Sequence, residues 1–414
     1  MRSERDRFDD CLLLQAELPY IKEGIERLKT HALCALTGSP RLPTVPITQE
    51  NNMKIARVTI DVLRVTVDNA YVAAGRQVDA NWHVLARVET ADGVEGMGYI
   101  VYPRGDLMPA IAHAARELGE HLIGHQVLST EAAWEMLAKR GDWVGPGGLL
   151  HCAIAPLDIA MWDAAGKVLG QPVHRLLGGY RDRVPAYASD RLWYSLSLDD
   201  LAASAQQYAQ RGFRALKLRI GKEASPQGEV QRVRTAQEAG GPHMQVMVDG
   251  TESWDRTRAL HTGRVLQDEG ITWLEDPVHH QDIEGLAQLS STLNIPVTGG
   301  EHLYGLRAFR DLLQARGVDV AIMDLARVGG ITPWRKIAAL AQAYQTPVCG
   351  HVVPEIHVHL LAAVANGGMV EYMPRSEAIL QTMPELADGY LIAPNAAGLG
   401  LTLDEATVTR FRVG

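Results

Sequence analysis

Three carboxylates in this chain, Asp249, Glu275 and Glu301, are spaced 26 and 26 residues apart, each at or just beyond the end of a short apolar run. Converging carboxylates repel one another and are driven towards protonation unless a cation sits among them. An all-oxygen set without thiolate favours a hard ion, and Mg²⁺ typically takes a few carboxylates with water and substrate oxygens. The plainer alternative is a set of salt bridges to Arg or Lys. Asp324 closes Ala321-Ile322-Met323, and His351 follows Val348-Cys349-Gly350. A carboxylate beside an imidazole fixes its tautomer and stabilises the imidazolium, which makes a base that works near neutral pH. Lys217 and Arg219 alternate with Leu216 and Leu218, so a strand turns both basic side chains to one face. Glu371 lies within Met369-Val370-Glu371-Tyr372. His279-His280 and His357-x-His359 read as ordinary loop or helix residues, and His302 as pocket lining.

Side chains so far apart in sequence need a scaffold that delivers them to one place. Short β-rich runs recur at Val184–Ala188, Ala215–Ile220, Gln245–Asp249, Thr272–Glu275, Pro296–Gly299, Val320–Asp324, Pro347–Gly350 and Val370–Met373. Helical patterns fill the gaps, which predicts parallel βα units. Eight units, with no G-x-G-x-x-G fingerprint after any strand, favour a closed barrel over an open doubly wound sheet. The C-terminal strand ends of such a barrel form the active-site face, and most of these strands end in an ionisable group. For any one position a bland reading competes, because Asp or Glu after a strand is commonly a helix N-cap.

Residues 53–103 read instead as antiparallel strands. Trp82, Val84, Ala86 and Val88 alternate onto one face, and Asp92-Gly93 supplies a hairpin turn. Residues 107–177 switch to a helical period carried by Ile154, Leu157, Met161, Ala164 and Val168. The expected organisation is an N-terminal extension over 1–52, disordered or an artefact of the assigned start. An α+β capping domain follows over 53–180, then a barrel over 181–375. A segment over 376–414 returns to the cap.

The 414 residues are 46% hydrophobic and 21% charged, which excludes a disordered chain. A net charge of −9 gives no footprint for nucleic acid. No run approaches the roughly 18 apolar residues of a membrane span, and the charged N-terminus does not resemble a secretory signal, so a cytoplasmic protein is expected. Cys11, Cys34, Cys152 and Cys349 form no close pair, against a disulfide framework or structural zinc.

Taken together these motifs resemble the mandelate racemase subgroup of the enolase superfamily over about residues 53 to 414. Ala153-Ile154-Ala155-Pro156-Leu157-Asp158-Ile159-Ala160-Met161-Trp162-Asp163 through Gly178-Gly179 is similar to the helix that closes the family's cap domain. Lys217-Leu218-Arg219 sits at its K-x-K/R position, and Asp249, Glu275 (in Glu275-Asp276-Pro277) and Glu301 match its metal ligands. Asp324, before Val328-Gly329-Gly330-Ile331-Thr332, and His351 match its Asp–His dyad, and Glu371 its acid beside the enolate oxygen. The resemblance implies an α/β fold, a (β/α)7β TIM-type barrel with an α+β cap, with Mg²⁺ as cofactor and homo-oligomeric assembly. It also implies abstraction of the proton alpha to a carboxylate. Mg²⁺, Lys217 and a proton-bearing Glu371 would stabilise the charge that develops.

Arg219 departs from mandelate racemase, which has lysine there. Arginine is effectively always charged, so His351 is left as the only obvious base. One base suits dehydration. It takes the alpha proton and returns a proton to a departing beta hydroxyl, while Arg219 clamps the substrate carboxylate or helps to hold the enediolate. The expected activity is therefore an acid-sugar dehydratase, a hydro-lyase acting on an aldonate or aldarate to give a 2-keto-3-deoxy acid. A racemase or epimerase of a 2-hydroxy acid with an unrecognised second base is the runner-up. A two-carboxylate glycosidase, insensitive to EDTA, and a ligand-binding barrel without turnover are more distant rivals. Cap-domain loops expected near Val67–Arg76 and Tyr99–Asp106 carry Asn69, Tyr71, Arg76, Tyr102 and Arg104. With His302, these Tyr and Arg residues are the expected substrate contacts.

Overall fold

The structure is a computed structural model that describes residues 53–73 and 76–413, with the side chains of 68–76 outside the description. The extension expected over residues 1–52 lies outside the described residues.

β-branched and aromatic residues alternating with polar ones extend the chain into β1 (Ile55–Ala73) and β2 (Arg76–Thr90), and the apolar run of β3 (Glu95–Tyr102) completes an antiparallel sheet. Gly93, at φ +84°, makes the turn between β2 and β3. Three helices follow: α1 (Met108–Glu120), α2 (Thr130–Arg140) and α3 (Leu149–Leu169). Val84, Ala86 and Val88 pack with Ile154, Leu157 and Met161 of α3 in one core, as the alternation predicts, and Trp82 lies at its margin. The opposite face is not solvated. Leu63, Val65, Leu85, Met97, Tyr99 and Val101 join the barrel's core, so the sheet is buried between helices and barrel. Gly96 and Gly98 permit the closest approach, since a Cβ there would fall 2.2 Å from Ala160 O and 2.3 Å from Pro156 O of α3.

The barrel strands are β4 (Arg183–Ala188), β5 (Ala215–Arg219), β6 (Gln245–Asp249), β7 (Leu274–Glu275), β8 (Val297–Gly299), β9 (Val320–Asp324), β10 (Val348–His351) and β11 (Gly367–Tyr372). All pair in parallel in sequence order, and β11 pairs with β4 to close the ring. Each step from β4 to β11 carries a helical crossover, whereas β11 runs into a short 3-10 turn at Glu377–Ile379. This is the expected (β/α)7β barrel with an α+β cap. The chain then forms β12 (Leu386–Ala387) and β13 (Tyr390–Ile392), the latter antiparallel to β4, and β14 (Arg412–Val413) pairs with β1.

Two buried aspartates lock α3 in place. Asp158 accepts from the backbone N–H of Thr332 at 2.9 Å and from its hydroxyl at 2.6 Å, at the first turn of the barrel helix Ile331–Ala343. Trp162 donates to the same hydroxyl at 2.9 Å. Asp163 accepts from Met97 N at 2.8 Å and Leu399 N at 2.7 Å, and pairs with Lys167. The signature helix is thus a buttress holding the cap on the barrel. Among the described residues no helix is long and apolar enough to cross a membrane. Cys152 and Cys349 are buried free thiols.

Candidate active site

Parallel register carries the ionisable residues to one end of the barrel. Arg219 is level with Asp249, Asp249 with Glu275, and Asp324 with His351. Lys217 lies two residues inside Arg219 on the same strand face and is fully buried. Its ammonium reaches Glu275 Oε1 at 2.5 Å, Glu371 Oε1 at 3.1 Å and Asp249 Oδ2 at 3.6 Å. The salt-bridge alternative is therefore realised in part, but the charges do not balance. Asp249, Glu275, Asp276, Glu301, Asp324 and Glu371 face three obligatory cations, Lys217, Arg219 and Arg327, with the titratable His302 and His351 beside them.

The imbalance shows in Glu275. Burial pushes its carboxyl up to about 8, and although Lys217 opposes this, Asp249, Glu301 and Glu371 add to it. Asp276, which follows it, is also pushed up by burial and by the surrounding carboxylates, and its Oδ1 is buried without a hydrogen-bond partner. An oxygen-only donor set with unpaid negative charge is chemically suited to a hard divalent cation. Asp249, Glu275 and Glu301 supply such donors at one rim, and the ligand atoms gathered within 4.8 Å of one another there are those of Asp276, Glu301 and His302.

Lys217 cannot easily give up its proton here. Burial alone would lower its pKa, but Glu275, Glu371 and Asp249 outweigh burial and hold it raised. Arg219 is held by several neighbours at once: its Nη1 donates to Ser189 O at 2.6 Å and Ser189 Oγ at 2.9 Å, and its guanidinium stacks 4.2 Å from the Trp193 ring centroid. Its Nη2 lies 3.5 Å from Glu371 Oε1. Glu371 differs from the expected proton-bearing form. Burial favours that form, but Lys217, His351 and Arg219 overcome burial and hold its carboxyl well below the usual range. Its Oε2 also accepts from Val352 N at 2.9 Å. A carboxylate between two fixed cations accepts hydrogen bonds and does not donate them.

Across the ring, Asp324 Oδ2 lies 2.7 Å from His351 Nδ1. The N-cap alternative holds at the same residue, because Asp324 Oδ1 accepts from Arg327 N at 2.9 Å in the turn Leu325–Val328. One carboxylate caps a helical turn and orients an imidazole. With Nδ1 so engaged, His351 presents Nε2 to the interior, 3.2 Å from Glu301 Oε2. Burial raises the Glu301 carboxyl, and His351, His302, Lys217 and Arg327 more than reverse this, leaving it at about 2.

The expected substrate contacts fare differently. Tyr71 and Arg76 have side chains outside the described residues. Their segment was expected to be a loop, but β1 runs to Ala73 and β2 starts at Arg76, with Tyr71 opposite Val78 and Ala73 opposite Arg76. Tyr99–Tyr102 likewise belong to β3, so the second loop opens only at Pro103. Tyr102 and Arg104 line a cavity of about 430 Å³ with Tyr304, Cys152 and Arg327. His302 sits beside the carboxylates, 3.5 Å from Glu301 Oε1 and 3.7 Å from Asp276 Oδ2.

Sequence reasoning missed several neighbours. Arg327 donates to Glu301 O at 2.7 Å and approaches Asp324 Oδ2 at 3.9 Å. Its position one helical turn after Asp324 was the available signal. Trp273, two residues before Glu275 and so on the same strand face, donates to Glu275 Oε2 at 3.1 Å. Ser189 and Trp193 carried no comparable signal.

The domain sequences decide the family. Residues 57–178 match the mandelate racemase / muconate lactonizing enzyme N-terminal domain, and residues 200–407 match the enolase C-terminal domain-like family. The chain belongs to the enolase superfamily. Within that superfamily it is 32% identical over 345 residues to L-talarate/galactarate dehydratase of Salmonella typhimurium, covering 83% of this chain and 86% of that one. It is 29% identical to 3,6-anhydro-alpha-L-galactonate cycloisomerase of Streptomyces coelicolor, over 87% and 100% of the two chains. The solved structure of L-talarate dehydratase from a Polaromonas species, complexed with Mg and L-glucarate, superposes with a TM-score of 0.81 at 30% identity, over 87% and 98%. Superfamily relatives of this chain are thus acid-sugar dehydratases and cycloisomerases, and Mg is bound in several solved structures.

Proposed function

We propose that this protein is a Mg²⁺-dependent acid-sugar dehydratase that converts an aldonate or aldarate into a 2-keto-3-deoxy acid with loss of one water. The observation that carries the reading is the single base. Lys217 is held as an ammonium by Glu275, Glu371 and Asp249, Arg219 is a permanent cation, and His351, oriented by Asp324, is the base that stands apart from the proposed ion's ligands. Asp249, Glu275 and Glu301 would hold the ion, which supplies positive charge to the substrate carboxylate as its alpha carbon is deprotonated.

The residues divide the remaining work. His351 Nε2 takes the alpha proton, and the C–H electron pair moves into the carboxylate to form an enediolate. Lys217 and Arg219, already charged and fixed, face the oxygens on which that negative charge develops, so little reorganisation is required as it appears. Glu371 positions both cations. The enediolate then collapses, its electron pair forms the Cα–Cβ double bond, and the beta C–O bond breaks. The His351 imidazolium gives its proton to the departing hydroxyl, releasing water, and the enol product tautomerises to the 2-keto acid. Homo-oligomeric assembly is part of the same proposal, and light scattering would read it.

The test is a screen of aldonates and aldarates with Mg²⁺ near neutral pH, scored for 2-keto-3-deoxy product. A hit that EDTA and His351→Asn both abolish is expected. Alpha-deuterium exchange in D₂O without elimination would overturn dehydration in favour of epimerisation. Product formation unaffected by EDTA would overturn the metal.

A further inference from the structure

Three potential ligands converge on the rim outside the carboxylate set. Glu252 lies three residues beyond the end of β6, and His279 and His280 follow β7 past Pro277. Each offers one ligand atom, and the three atoms lie within 4.8 Å of one another. We propose that Glu252, His279 and His280 form a second, outer metal site for a divalent transition ion of the zinc type.

The donor chemistry sets the class of ion. Two imidazoles and one carboxylate suit Zn²⁺ and its neighbours, whereas Mg²⁺ prefers oxygen ligands throughout. The inner set of Asp249, Glu275 and Glu301 has the opposite character and shares no residue with the outer one.

The arrangement is partly assembled already. Glu252 Oε1 lies 2.7 Å from both the backbone N–H and Nδ1 of His280, so the carboxylate is aimed at that ring. The His279 ring stacks on His280 with centroids 4.3 Å apart, and its Nδ1 accepts from Gln281 N at 3.2 Å. Bonds of about 2.0–2.1 Å place tetrahedral ligand atoms roughly 3.3 Å apart, so an ion replaces the 2.7 Å contact between Glu252 and His280 and draws His279 towards that pair. His279 is the exposed member and can rotate to do so. Three protein ligands leave a coordination position for water, and exposure gives the ion a path in.

The backbone fixes where Glu252 stands. Thr251 and Glu252 are consecutive non-glycine residues at φ +47° and +56°. Such residues cost on the order of 1–3 kcal/mol each and persist only where the surroundings hold them. Thr251 N donates to Asp249 Oδ1 at 2.8 Å, and Glu252 N donates to Asp276 O at 2.8 Å. His302 separates the two sites, with its ring centroid 5.3 Å from that of His280 and its Nε2 turned towards Asp276 and Glu301.

The test is Zn²⁺ uptake by the full chain in excess Mg²⁺, measured by equilibrium dialysis without substrate. Wild-type protein should bind one equivalent more than the His279→Ala/His280→Ala variant. That difference is independent of how much Zn²⁺ enters the inner set. Glu252→Gln, which keeps both rings, should weaken the extra equivalent by about tenfold or more. Co²⁺ should give a visible ligand-field band that the double variant loses. Equal uptake by wild type and double variant would overturn the site, as would a Co²⁺ spectrum unchanged by the substitutions. Circular dichroism of each variant separates loss of the ligands from loss of the fold, and the single Glu252→Gln change keeps the question answerable if the double variant unfolds.

Discussion

Two groups of buried acids stand on either side of the cap–barrel boundary, and they are treated in opposite ways. Asp158 and Asp163 of α3 are far from other acids, and both oxygens of each have a donor: the Thr332 N–H and hydroxyl for the first, the Met97 and Leu399 N–H groups, with Lys167, for the second. Asp249, Glu275 and Glu371 crowd one another around a single lysine and one arginine, and Glu301 lies beyond them against His351, His302 and Arg327. The first arrangement is what a buried carboxylate needs to serve a fold. The second leaves charge uncompensated, which a fold alone would not retain. Burial does not distinguish a structural acid from a chemical one, but the partners do.

The comparison can be broken from either side. Glu275→Gln should have the largest effect on turnover, a loss on the order of 10⁴-fold or several kcal/mol, because it removes a ligand from the proposed ion. It should leave thermal unfolding in EDTA unchanged or raised, since it also removes repulsion. A large fall in melting temperature would make Glu275 a structural acid. His351→Asn should reduce dehydration by about 10²- to 10⁴-fold with folding intact, and turnover within tenfold of wild type would remove the single-base mechanism.

On the structural side, Asp163→Ala leaves two buried backbone N–H groups unpaired and should cost about 2–4 kcal/mol in denaturant unfolding. The fraction that remains folded should keep its turnover. The smallest effect concerns pH. Burial pushes Asp158 up to about 7 against the opposing hydrogen bonds from Thr332. An acid with a raised folded pKa stays protonated in the native state longer than in the unfolded one. Its stabilisation is therefore full below about pH 4 and is lost as pH rises through about 7. Asp158→Asn should gain on the wild type across that window, and a stability difference independent of pH would contradict the assignment.

Much of this was legible in the residues themselves. The eight strand runs, the ionisable groups at their ends and the alternation of Lys217 with Arg219 are local patterns, and a closed parallel barrel converts strand-end position into convergence with no further information. The same logic failed where side chains act through contacts distant in sequence. The strand pairing through Tyr71 and Arg76 is not legible in the sequence because Asp68-Asn69-Ala70 interrupts the alternation where the register shifts. His279 and His280 carried no signal until Glu252 was brought against them from another strand.

The sequence by itself determined the fold class, the family and the ionisable residues that end the barrel strands, because periodicity and motif spacing are one-dimensional properties. Only the tertiary structure decided their charge states and partners. Glu371 is a case in point: alone it reads as an acid able to carry a proton, yet between Lys217 and Arg219 it is held ionised. Proton affinity depends on which charges lie within a few ångströms, and in this chain those charges come from different strands.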